Sequence, residues 1–167
     1  MASEAFWQGI DSERRRTISE LIPPEQIEDQ LPPLVHTQPV GQRQALLISI
    51  LDAFAQAHVE EARQGPNNAH SRALYLMGAL QIDIGKFPAA EETFRKILSY
   101  EDANHVDIAA REGLIEALAS QKKYDIAIAE VEQLSSRIRA TQGDDSPGLL
   151  TCSQMAERIK NDQLIAE

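Results

Sequence analysis

The feature that most constrains this chain is a recurrence at 37 residues. Phe87 and Tyr124, Ala90 and Ala127, Phe94 and Val131, and Ile97 and Leu134 each stand 37 positions apart. Met77 and Leu114, and Leu80 and Ala117, keep the same offset. Apolar residues held in one register across four helical segments indicate an internal repeat, because a two-helix unit buries its apolar face only by stacking on a neighbour.

Within each copy the apolar residues follow the three- and four-residue spacing of amphipathic helices. Leu74, Met77, Leu80 and Ile84 stripe one helix, and Phe87, Ala90, Phe94, Ile97 and Leu98 stripe the next. Asn67 or Asn68 stands where an N-cap is needed. Gly85, in the turn between the helices, offers a helix end at which positive φ costs little, and Gly78 leaves room for a neighbouring helix. In the second copy Asn104 with Asp107 marks a helix start, and Ile108, Leu114, Ala117 and Leu118 form its apolar face. Gln121, Lys122 and Lys123 make the turn, and Tyr124, Ala127, Val131, Leu134 and Ile138 carry the return as far as Gly143.

A core helix is expected over residues 42–64, with Leu47, Ile50, Leu51, Phe54 and Ala57 on its buried side and Gly65 and Pro66 as its stop. At the other end Ser146 and Pro147 start a final helix over about 147–165. Leu149, Cys152, Ala156 and Ile159 line one side of it, while Gln154, Glu157, Arg158 and Lys160 keep the other side polar, as a capping helix requires. The first 40 residues form an irregular N-terminal arm. Phe6, Trp7 and Ile10 open it. A short helix capped by Asp11 or Ser12 follows, with Ile18, Leu21 and Ile22 on one side. A second short helix runs from Pro24 to Leu31, and the proline-rich stretch to Val40 is expected to be extended. Either the arm docks its aromatics on the helical body, or it is a recognition segment ordered by a partner.

The repeated pair resembles the tetratricopeptide repeat. Leu74, Met77, Gly78, Gly85, Phe87, Ala90, Phe94 and Ile97 occupy that family's positions in the first copy, and Tyr124, Ala127, Val131 and Leu134 do so in the second. There Leu114 and Ile115 replace the leucine-glycine pair and Lys122 replaces the turn glycine. The family unit is about 34 residues, so a 37-residue offset places about three extra residues near 101–106. Residues 42–64 can be read as the remnant of a preceding unit. The resemblance implies an all-α fold of antiparallel helix-turn-helix repeats, a TPR-like α-solenoid, within a domain over 41–167 whose clear repeats span about 71–104 and 108–141. It also implies a non-enzymatic adaptor or scaffold that binds a peptide or partner helix on the concave face. The groove positions would be Arg72, Tyr75, Ala79, Ile82 and Asp83 on one helix, and Ala109, Glu112, Glu116 and Ser120 on the other. Such a surface favours an apolar anchor flanked by Lys or Arg, unless these are plain solvated residues or the arm covers them. A subtype that grips carboxylates is disfavoured, because Tyr75, Ala79, Glu112 and Glu116 stand where cations would be needed.

Composition narrows the function further. The 167 residues suffice for one core, and a formal charge of −10, from 26 acidic and 16 basic side chains, opposes nucleic-acid binding. No apolar run approaches the about 20 residues of a membrane span. Cys152 is the single cysteine, which suits a reducing compartment and a soluble cytoplasmic protein. His36, His58, His70 and His105 are scattered, so no metal or cofactor is expected. Glu91 with Glu92, Asp144 with Asp145, and the Arg14, Arg15, Arg16 run read as solvated charge. The alternative to an adaptor is a self-associating or permanent structural subunit of a larger complex.

Overall fold

The structure, a computed structural model, describes residues 4–65, 67–101 and 107–166. Among the described residues there is no strand. The helices are α1 (Glu4–Trp7), α2 (Ser12–Leu21), α3 (Pro24–Glu28), α4 (Val40–Ala57), α5 (Ala69–Asp83), α6 (Phe87–Leu98), α7 (Ile108–Ser120), α8 (Tyr124–Gln142) and α9 (Pro147–Ala166). The chain divides into two compact units, Met1–Lys86 and Phe87–Glu167.

In the first unit α4 packs along α5, and α2 also packs on α5. α5 is buried on most of its circumference: Ala73, Leu74, Leu76, Met77, Gly78, Ala79 and Leu80 are buried, with His70 and Gln81 among them. A helix apolar on one stripe only would not need such cover; one apolar nearly all round does. The N-terminal arm supplies part of this core, since Phe6, Ile10, Ile18, Ile22, Ile27 and Val35 are buried. The buried Arg43 of α4 ties the arm down. Its guanidinium donates to the carbonyls of Gln38 at 3.0 Å and Ala5 at 3.2 Å, and to that of Phe6. The Ala5 and Phe6 carbonyls lie in the last turn of α1, where carbonyls lack helical partners.

In the second unit α6 packs on α7, α7 on α8 and α8 on α9. Ala90, Phe94 and Ile97 of α6, Leu114, Ile115 and Leu118 of α7, and Ala127, Val131, Leu134 and Ile138 of α8 form its core, which Cys152 and Ile159 of α9 close. The Phe94 ring lies directly on Gly113: a β-carbon there would sit 2.5 Å from Cε1 and 2.8 Å from Cε2. The absent side chain sets the spacing of α6 and α7.

The 37-residue recurrence extends to the backbone. α5 ends at Asp83 and α7 at Ser120; α6 starts at Phe87 and α8 at Tyr124. Gly85 has φ +74° and Lys122 has φ +59°. The Lys86 N–H donates to the Gln81 carbonyl at 2.8 Å, and the Lys123 N–H to the Leu118 carbonyl at 3.0 Å. The Gly85 and Lys122 N–H groups donate to Ile82 and Ala119, both at 2.9 Å. Both turns thus satisfy the last helical carbonyls through one left-handed residue.

Some local expectations are corrected. The stretch after Pro32 is not simply extended: Val35–Thr37 makes a 3-10 turn. Leu34 takes φ +60° before it, and the Leu34 carbonyl accepts from both the N–H and the Oγ1 hydroxyl of Thr37. The helix expected over 42–64 ends at Ala57 and is followed by a 3-10 turn at Val59–Glu61. His58 stacks on Phe54 with ring centroids 4.0 Å apart, and its Nδ1 donates to the Phe54 carbonyl at 2.8 Å. That bond takes a carbonyl the next helical turn would have used. Within α4 Ala55, not Ala57, is buried. α3 stops at Glu28, short of Leu31. Asn68 and Asp107 are the caps; Pro66 and Asn104, and most of the stretch expected to hold the extra residues, lie outside the described residues.

Candidate functional site

The expected groove positions fall on one side of α5 in the first unit and one side of α7 in the second. On α5 the cap is Asn68, whose side chain accepts from the Ser71 N–H at 2.8 Å, and the helix runs unbroken to Asp83. Arg72, Tyr75 and Ile82 are half-buried. Ala79 is only 5% exposed, so it acts as a packing surface and not as an open groove residue. Asp83 is engaged: Arg14 of α2 donates Nε to Oδ2 at 3.1 Å and Nη2 to Oδ1 at 3.5 Å. Burial works against the charge on Arg14, but the hydrogen bond and charge of Asp83, helped by Tyr75 and Asp11, outweigh it and raise its pKa. The arm therefore reaches the last of the α5 positions, Asp83.

On α7 the cap is Asp107, which accepts from the Ala110 N–H at 3.0 Å. Ala109 and Ser120 are exposed, and Glu112 and Glu116 are half-buried. Glu116 pairs with Arg158 of α9, Nη2 to Oε2 at 2.6 Å. Glu112 forms no ion pair among the described residues, and burial raises its pKa. A carboxylate that has lost water and gained no cation is stabilised by any cation brought to it.

Sequence reasoning missed one polar cluster. Arg111 stands 37 positions after Leu74, at a core position, and its side chain is 9% exposed. It donates to Glu101 at 2.7 Å and Glu130 at 2.6 Å, and these carboxylates are 5% and 12% exposed. Glu101 also accepts from the Asp107 N–H at 2.7 Å. Arg137 stands 3.8 Å from Glu101 and Arg95 3.6 Å from Glu130, so each carboxylate faces two cations and the burial is compensated as that of a lone charge would not be. Beside it Glu91 of α6 accepts from Lys123 and Gln121, both at 2.8 Å, and from Arg95 at 3.1 Å. The Lys123 bond is the largest cause holding its pKa down at about 2. An arginine at a repeat's core position was the available signal.

Each arginine of the 14–16 run meets a carboxylate: Arg14 meets Asp83, Arg15 meets Glu4 and Arg16 meets Glu13. His70 is fully buried with Nδ1 donating to the Ala55 carbonyl at 2.7 Å. His36 is exposed, Cys152 is buried, and His105 lies outside the described residues. Among the described residues no group of three or more His, Cys, Asp or Glu could hold a metal ion, and no helix is long and apolar enough to cross a membrane. No family model, curated protein or solved structure matches the chain.

Proposed function

We propose that this protein is a non-enzymatic adaptor of tetratricopeptide-like helix pairs, working in the cytoplasm, and that α7 presents its partner-binding face. The observation that carries the repeat reading is the turn geometry duplicated at Gly85 and Lys122. The observation that carries the partner reading is Glu112, half-buried with its pKa raised by burial. Together with Glu116, whose pair with Arg158 is half-exposed and open to exchange with another cation, it favours a basic amphipathic peptide or partner helix, whose cations would replace the water that Glu112 has lost. The test is fluorescence anisotropy with an array of labelled amphipathic helices, each in a lysine- or arginine-bearing and an acidic version. The basic set is expected to bind the wild type, and Glu112→Lys with Glu116→Lys should weaken it at least about tenfold, the scale of one or two ion pairs. Unchanged binding by the doubly reversed protein refutes the assignment.

A second reading, a self-associating or permanently assembled structural subunit, is favoured by Leu164 and Ile165 at the end of α9, which are 71% and 84% exposed. Mass measured over a hundredfold range of concentration separates the two, since only the second expects it to rise.

A further inference from the structure

α2 sits on α5 with the chemistry of a ligand on a receptor face. Arg14, Ile18 and Ile22 follow at four-residue intervals and share one side of the segment. Ile18 and Ile22 are buried, and Arg14 reaches Asp83 with two guanidinium nitrogens. Asp83 is the last residue of α5, so its charge and the negative end of the helix dipole attract the same cation. The polar part of the hold is exposed: besides the Arg14 pair, Arg15 donates to both carboxylate oxygens of Glu4 on α1, with side chains 37% and 83% exposed, and lies 5.7 Å from the Trp7 ring centroid. Ile18 is the one fully buried residue within α2, whereas α1 next to it buries both Phe6 and Trp7 and is tied by Arg43. The Arg14 and Asp83 side chains remain 29% and 28% exposed. Gly9, with φ +82°, and Pro23 bracket the segment. For α2 to lift while α1 and α3 stay in the core, the Arg14 to Asp83 and Arg15 to Glu4 pairs must open and Ile18 and Ile22 be uncovered, a sub-global opening smaller than that of the whole unit.

We propose that the α5 face is a helix-binding site whose resident occupant is α2, and that a partner helix carrying a basic residue followed four and eight positions later by aliphatic residues competes for it. The proposal rests on the reading of the chain as a binding module but concerns a different surface from α7. It is tested on the full chain with a fluorescein-labelled peptide of residues 11–22. The wild type, with α2 seated, is expected to bind it weakly. Arg14→Glu, which replaces an ion pair by a like-charge contact with Asp83, is expected to bind it about tenfold more tightly. Asp83→Lys added to Arg14→Glu should abolish that gain. Equal binding by the wild type and by a still-helical Arg14→Glu protein overturns the proposal. Amide hydrogen exchange of the wild type is the second measurement: residues 12–21 should exchange well before α4. Exchange of α2 as slow as that of α4 overturns it, whatever the variants do. Because the Glu112 and Glu116 assay reads α7 alone, failure here and failure there are separable.

Discussion

The duplicated turn gives the sharpest test of the repeat reading. Lys122 holds φ +59° at the position where the first copy has Gly85 at φ +74°. A left-handed residue with a β-carbon costs about 1–2 kcal/mol, and glycine's extra freedom in the unfolded chain takes back about 0.5–1 kcal/mol. Lys122→Gly should therefore stabilise by about 0.5–1 kcal/mol. The reverse change can be read without steric interference, because a β-carbon added at Gly85 would meet nothing within 4 Å. Gly85→Ala should then destabilise by a similar amount through backbone strain alone. At a urea slope of about 2 kcal/mol/M, each change moves the midpoint by about 0.3–0.5 M, in opposite directions. Equilibrium unfolding followed by far-UV circular dichroism reads both. Should Lys122→Gly leave the midpoint in place or lower it, the argument that the two turns are equivalent fails.

Other expectations follow from the packing and the charges. Gly113→Ala forces the Phe94 ring off its seat and should cost about 1–3 kcal/mol, a fall in Tm of about 2–4 °C per kcal/mol; an unchanged Tm would mean that α6 and α7 do not depend on that contact. The Glu91 carboxyl, ordinarily near 4.5, is held at about 2, so its contribution is complete above pH 4.5 and is lost as pH falls through 2. The Glu91→Gln protein should accordingly lose less stability than wild type over that window, and parallel curves from denaturant titrations would contradict this. Phe6→Ala should lower stability by about 3–5 kcal/mol, a loss that a merely appended arm would not show.

What could be read in advance, and what could not, divides along physical lines. Most of the helices, the cap sites narrowed to Asp11 or Ser12, to Asn67 or Asn68 and to the stretch from Asn104 to Asp107, and the register between the two copies are carried by spacing and by residue type. Burial of Ala79 and the engagement of Asp83 are not local. The first depends on the elements packed around α5 and the second on Arg14 of α2, 69 positions earlier in the chain, and no periodicity within α5 announces either. Gly113 escaped notice because it stands two positions before the place that the offset from Gly78 indicates. Arg111 escaped because an arginine reads as surface until Glu101 and Glu130 are found around it. The turn at Val35–Thr37 went unseen since its cause is a threonine hydroxyl returning to the Leu34 carbonyl.

The Arg43 tie has a consequence for how the chain is made. Arg43 binds carbonyls 37 and 38 positions before it, while the Arg14 to Asp83 link spans 69 positions. At a synthesis rate of about 5–20 residues per second, α1 can be fastened about 2–8 s after it is translated, but α2 must wait about 3–14 s for its seat on α5. For the intervening seconds the nascent first unit holds α1 by its end and leaves Ile18 and Ile22 without their final cover. A chaperone or partner that recognises an arginine with aliphatic residues four and eight places on would meet α2 free on the ribosome before the finished protein ever offers it.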